Sequence, residues 1–165
     1  MKPPVREKRH RLPPAAYNGQ VVVAFTMCVE RRARLFTREE VVAKGLEFLT
    51  DQLQRFECTC PIYCFMPDHI HLILSGQSKA ARPKAAADAF KCKWTEYLKD
   101  HNFREDMQKD YFDHIIRKRD DWKEQVWYVA ANPVRAGIVT DWREYPFTGS
   151  IGVSLYDVLG DIMWS

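Results

Sequence analysis

From Val21 to Glu30 the chain runs through β-branched and apolar residues, VVVAFTMCVE, a pattern that predicts a buried strand. Thr37 with Glu40 three residues on has the spacing of a capping box, and Val41, Leu46, Phe48, Leu49, Leu53 and Phe56 then carry a helix to about Glu57. A second strand is predicted over roughly Thr59 to Met66, broken by a corner at Pro67 and Asp68, and a third from His69 to Ser75, stopping at Gly76. The small and polar stretch GQSKAARPKAAAD leads into a helix from about Pro83 to His101, where Phe90, Trp94, Tyr97 and Leu98 recur at helical spacing. YFDHIIR, residues 111–117, reads as a fourth strand. Asp120 to Ala131 reads as a further helix, ended by Pro133 and the Gly137 beyond it. A last short strand or turn is expected near Gly137 to Thr140.

The resulting order, βαββαβα, predicts an α+β fold in which helices pack on an antiparallel sheet. No internal repeat interrupts it, and 165 residues suit one domain. Residues 1–15 hold four prolines and five Lys or Arg and read as a flexible basic arm, 16–150 as the folded domain and 151–165 as a C-terminal tail.

Composition narrows the class. A hydrophobic fraction of 46% and an aromatic fraction of 13% exclude a disordered chain. No apolar run approaches a membrane span and no apolar stretch follows the basic N-terminus, so a cytoplasmic protein without membrane contact is expected. The odd number of cysteines (Cys28, Cys58, Cys60, Cys64, Cys92) suits reduced thiols, and Cys58, Cys60 and Cys64 lack the spacing and second pair of a zinc site. Net charge is only +3, but the positive residues are bunched: Lys2, Arg6, Lys8, Arg9 and Arg11; Arg31, Arg32, Arg34 and Arg38; Lys79, Arg82, Lys84, Lys91 and Lys93; Arg117, Lys118 and Arg119. Such clusters either line a phosphate-binding groove or coat solvated loops and helix faces.

Two segments carry chemistry. In CFMPDHIHLILSG, strand alternation turns His69 and His71 to one face and Ile70, Leu72 and Leu74 to the other. Paired imidazoles on a sheet face suit a metal ion, although half-exposed strand histidines give the same pattern. A histidine-triad hydrolase would need a third histidine where Ile73 stands, and an HxH amidohydrolase needs a barrel larger than this chain. In VWYVAANPVRAGIV, Tyr128 and Asn132 lie one helical turn apart. A phenol can act as a covalent nucleophile and an amide oxygen can complete a metal's coordination, while a helical tyrosine can equally be a packing residue.

Together the two segments resemble the REP-associated tyrosine transposases, relatives of the single-tyrosine transposases within the HUH endonuclease superfamily. The resemblance runs from about Phe25 to Gly149. It covers MPDHIHL, YFDHIIR around His114, YVAANPVRAGIV, and an ending with Trp142, Tyr145, Pro146 and Ser150. Departures are Val129 where the family has isoleucine, the order Tyr111-Phe112, and Met107 where a tryptophan is usual.

The resemblance implies a ferredoxin-like or RRM-like HUH nuclease fold. It implies His69 and His71 as metal ligands flanking the hydrophobic Ile70, Asn132 as third ligand and Tyr128 as nucleophile. The expected activity is cleavage and rejoining of single-stranded hairpin DNA at repeat elements through a 5′-phosphotyrosine. The divalent ion would be magnesium or manganese, with no small-molecule cofactor. A domesticated hairpin-binding protein without cleavage, and a phosphoesterase using the two histidines, are the competing classes. Arg31, Arg32, Lys91, Lys93, Trp94, His114, Arg117 and Arg119, with Phe112 and Trp122, are the candidates for DNA contact by charge or stacking. No catalytic role is assigned to Asp68 or Glu124, and monomer and homodimer, with the tyrosine acting in cis or in trans, both stay open.

Overall fold

The computed structural model describes residues 11–163. Five strands, β1 (Val22–Cys28), β2 (Cys58–Met66), β3 (His69–Gly76), β4 (Phe112–Ile116) and β5 (Thr148–Ile151), form one sheet in the order β4-β1-β3-β2-β5 with every neighbouring pair antiparallel. Five helices pack on it: α1 (Glu39–Arg55), α2 (Pro83–Asp100), α3 (Arg119–Ala130), α4 (Asn132–Arg135) and α5 (Leu155–Met163). The α+β architecture read from the hydrophobic pattern is the one observed. Among the described residues no helix is long and apolar enough to cross a membrane.

Strand alternation sorts side chains onto two unlike faces. On one, Val23, Phe25 and Met27 of β1, Phe65 of β2 and Ile70, Leu72 and Leu74 of β3 join α1 and α2 in the larger hydrophobic cluster. Trp94 of α2 is fully buried there, meeting Phe36, Phe48, Phe90 and Tyr97 edge-on. The helices approach closely at Gly45, where an added Cβ would lie 2.4 Å from the Trp94 ring. On the other face Ile62, Cys64, Met66, Ile73 and Ile116 meet Val126, Val129 and Ala130 of α3, together with Tyr145 and, from α5, Leu159. His69 and His71 also point to this second face, opposite Cys28 and Thr26 of β1.

β2 contains Pro61 although it is an interior strand. The register shifts between Thr59 and Ile62, a bulge that accommodates a residue unable to donate to the ladder.

Several expectations are corrected. Of the strand or turn expected near Gly137 to Thr140 it is a turn that forms, with Gly137 at φ +71° closing α4 through its amide on the Val134 carbonyl, and the last strand lies at Thr148–Ile151. Pro133 does not end the helical path but opens α4 at its first turn, where a missing N–H costs nothing. The capping box at Thr37 does not form, since α1 starts at Glu39 with Arg38 at its N-cap and no side-chain cap bond. Of the arm expected over residues 1–15, residues 11–15 are described. Arg11 pairs with Asp113 at 2.9 Å and donates to the Tyr111 carbonyl, and residues 14–17 form a 3-10 turn that buries Tyr17. Lys2, Arg6, Lys8 and Arg9 lie outside the described residues. The predicted tail contains α5, whose Leu159 is buried in the second cluster.

Candidate active site on the second face of the sheet

The site begins at the hairpin between β2 and β3, in which Met66 pairs with His69 and only Pro67 and Asp68 make the turn. Its two carbonyls are held from outside: Val29 N–H donates to Asp68 O and Phe36 N–H to Pro67 O, so the segment from 29 to 36 straps the turn in place. Arg31 and Arg32 in that strap hold left-handed φ values of 56° and 55°, a conformation costly for side chains other than glycine. The bend brings Arg32 Nε within 2.9 Å of Asp68 Oδ2, while Asp68 Oδ1 lies 2.6 Å from His69 Nδ1.

His71 is fixed in a similar way, its Nδ1 3.0 Å from the Thr26 hydroxyl of β1. With both δ nitrogens engaged, the two ε nitrogens face each other 3.1 Å apart, in side chains only 3% and 6% exposed. Over this pair runs α3. Ala131 keeps right-handed helical angles at the junction, so Tyr128, Asn132 and Arg135 continue one stripe through α3 into α4 at i, i+4 and i+7. The Tyr128 ring stands edge-on to His71 with centroids 5.7 Å apart, and Asn132 is 7% exposed.

Arg34, Met66, Pro67, Asp68, His69, Tyr128, Asn132, Arg135, Ala136 and Ile138 line one cleft of about 580 Å³. Its single carboxylate, Asp68, is paired with Arg32 and His69, leaving Arg34 and Arg135 to set the sign of the field at its mouth. An anion is the ligand such a cleft favours. Cys64, directly across from His71 on β2, is not a rival nucleophile: burial pushes its thiol up to about 12, so it stays protonated at neutral pH.

The donors fit a divalent cation. Orienting a histidine through its other nitrogen by a carboxylate or hydroxyl is the usual support for a metal ligand, and two imidazoles with an amide oxygen make a mixed N/O set. Among the described residues no three His, Cys, Asp or Glu side chains gather to hold a metal, and Asn132 lines the same cleft as His69.

The residues expected to touch nucleic acid divide by face. Phe112 is 60% exposed on the edge strand, in register with Thr26 and, through it, with His71. His114 follows on the same face, its Nε2 2.7 Å from Asp121 at the start of α3, with Arg117 and Arg119 just beyond. Arg32 is tied to Asp68, and Arg31 lines a separate recess with Arg104 and Glu105. Lys91 and Lys93 lie on α2, in the layer on the far side of the sheet. Trp94 is corrected outright: with 0% exposure it is core, and no base can stack on it. Arg135 and Thr26 were not picked out by sequence reasoning, Arg34 was named only within a basic cluster, and Asp68 was named without a catalytic role. Only Arg135 left a signal there, its i+7 spacing from Tyr128.

Residues 18–128 match the family model described as transposase, IS200 like, whose last matched residue is Tyr128. A curated protein of Haemophilus influenzae, named as a REP-associated tyrosine transposase, is 25% identical over 134 residues, covering 66% of this chain and 76% of its own length. A solved structure of a REP-associated tyrosine transposase bound to a REP hairpin superposes with a TM-score of 0.71 at 19% identity, over 87% of this chain and 82% of that one, a likeness of fold. A transposase structure from Deinococcus radiodurans R1 gives a TM-score of 0.47 at 15% identity, over 74% of this chain and 95% of that one.

Proposed function

This chain belongs to the IS200-like transposase family, and from that premise we propose that it cuts and rejoins single-stranded hairpin DNA, with Tyr128 as nucleophile. The observation that carries the reading is one cleft lined by His69, Tyr128 and Asn132, with the Tyr128 ring edge-on to His71, the partner of His69. The relative bound to a REP hairpin suggests the substrate, a hairpin-bearing unpaired strand.

In the proposed reaction the Tyr128 phenol oxygen attacks the scissile phosphorus. A P–O bond to tyrosine forms, the bond to the departing 3′ oxygen breaks, and that oxygen leaves as a hydroxyl carrying a proton. The phosphodiester is exchanged and not hydrolysed, so a later 3′-hydroxyl can reverse the step without ATP. His69, His71 and Asn132 would hold magnesium or manganese, which when bound supplies Lewis-acid polarisation of a non-bridging phosphate oxygen. Arg34, which lines the same cleft, adds fixed positive charge beside the phosphate. Phe112 offers a face on which an unpaired base stacks, and His114, Arg117 and Arg119 continue the track along the same side of the sheet.

The test is a hairpin oligonucleotide labelled at its 3′ end, incubated with protein and manganese and run on a denaturing gel. Label is expected to travel with the protein, to stay free when EDTA is present, and to stay free with Tyr128→Phe. Tight binding without any adduct from the wild-type chain would support the non-cutting hairpin binder in its place.

A further inference from the structure

Tyr128 is 49% exposed at the end of α3. A half-exposed tyrosine on a helix ordinarily exchanges between rotamers, and a nucleophile that wanders loses the advantage of being held near the atom it attacks. Here the ring is not left to wander. The Arg135 guanidinium carbon sits 4.0 Å from the ring centroid, and Arg135 Nη2 donates to the backbone carbonyl of Tyr128 at 2.7 Å. One arginine thus grips both the side chain and the main chain of the same residue, from one turn beyond Asn132.

The carbonyl bond alone would be an ordinary helix-end cap. Stacking on the ring is not needed for a cap, and it places the planar cation against the phenol within the same cleft. We propose that Arg135 is the positioning residue for the nucleophile: it clamps the Tyr128 ring in the orientation used for attack. The proposal rests on the reading of Tyr128 given above and adds to it the part that holds Tyr128 in place.

The rival role for the same side chain is a simple phosphate contact, and the two differ in where a loss is felt. A phosphate contact acts on affinity, whereas a clamp acts on the rate of bond formation in the bound complex. The experiment measures hairpin affinity and the single-turnover rate of adduct formation at saturating hairpin, for wild type, Arg135→Ala and Arg135→Lys. The proposal expects Arg135→Ala to slow adduct formation roughly 10- to 100-fold at saturation, with affinity changed by less than about threefold and the melting temperature unchanged. Arg135→Lys keeps the cation over the ring without the planar fork, so it is expected to recover part of the rate.

A second readout needs no DNA. In the free protein the Arg135 Nε–Hε resonance is expected to be shifted by the aromatic ring current, and to return to the ordinary arginine position in Tyr128→Leu. A rate loss that disappears when the hairpin concentration is raised, or an unchanged rate in Arg135→Ala, overturns the proposal. So does an Arg135 Nε–Hε resonance that is the same in wild type and Tyr128→Leu. A wild-type chain that forms no adduct defeats the functional reading instead, and the resonance pair then decides the clamp by itself.

Discussion

The two faces of the sheet are made by the same strands and put to opposite uses. Toward α1 and α2, β3 contributes Ile70, Leu72 and Leu74, and the space is filled by aromatic rings meeting edge to face. Toward α3, β3 contributes His69 and His71, buried beside a cleft that Arg34 and Arg135 also line. The first face stabilises the fold by burying apolar surface, a term that grows with area and packing density. On the second, polar side chains are desolvated but individually supported, His69 by Asp68 and His71 by Thr26. A site can be built on one side of a sheet when the other side supplies most of the stability.

Substitutions on the two faces should therefore separate stability from function. The largest stability effect is expected from Trp94→Ala, about 3–5 kcal/mol for removing a fully buried aromatic, read by urea or thermal unfolding. Trp94→Phe should cost clearly less, partly because the Trp94 indole N–H is buried without a hydrogen-bond partner. A loss of under 1 kcal/mol for Trp94→Ala would show that this face is not the stabilising one. Gly45→Ala comes next, at about 1–3 kcal/mol, because its Cβ would lie 2.4 Å from the Trp94 ring and one of the two helices must shift. DNA binding by refolded Gly45→Ala protein should match wild type.

On the other face, Phe112→Ala should weaken hairpin binding by roughly 1–3 kcal/mol and leave the melting temperature alone, since the ring is 60% exposed. A matching drop in melting temperature would mean Phe112 packs and does not stack. The smallest effect is chemical. Of the five thiols only Cys92 is exposed, and burial pushes Cys58 up to about 11 and Cys64 up to about 12. A thiol reagent at neutral pH should modify one cysteine in the native protein and all five after unfolding.

What the sequence made legible is what strand and helix periodicity encode. Alternation assigned His69 and His71 to one face, the Pro67 and Asp68 turn joined β2 to β3, and i, i+4 spacing stacked Tyr128 on Asn132. The resemblance to a transposase family then tied these pieces to a chemistry. The remainder depended on partners distant in sequence. β5 is a four-residue edge strand, Thr-Gly-Ser-Ile, with little apolar signal; it is held near β2 by the Tyr145 hydroxyl on the Phe65 carbonyl and by Gly149 against the Tyr63 ring. Trp94 shows the same helical spacing whether it faces a core or a strand of DNA, and the packing of Phe36, Phe48 and Gly45 against it, distant in sequence, decides between them. Arg32 reads as one more loop cation until the strap from 29 to 36 brings it onto Asp68.

The central claim is that one phenol on α3 takes the DNA strand. The direct measurement is mass spectrometry of the covalent adduct after nuclease and protease digestion. The account predicts a single modified peptide carrying a nucleotide joined through its 5′ phosphate to Tyr128. Attachment at another residue, such as the 86% exposed Tyr156, or absence of any covalent nucleotide under conditions of full hairpin binding and added manganese, would contradict it.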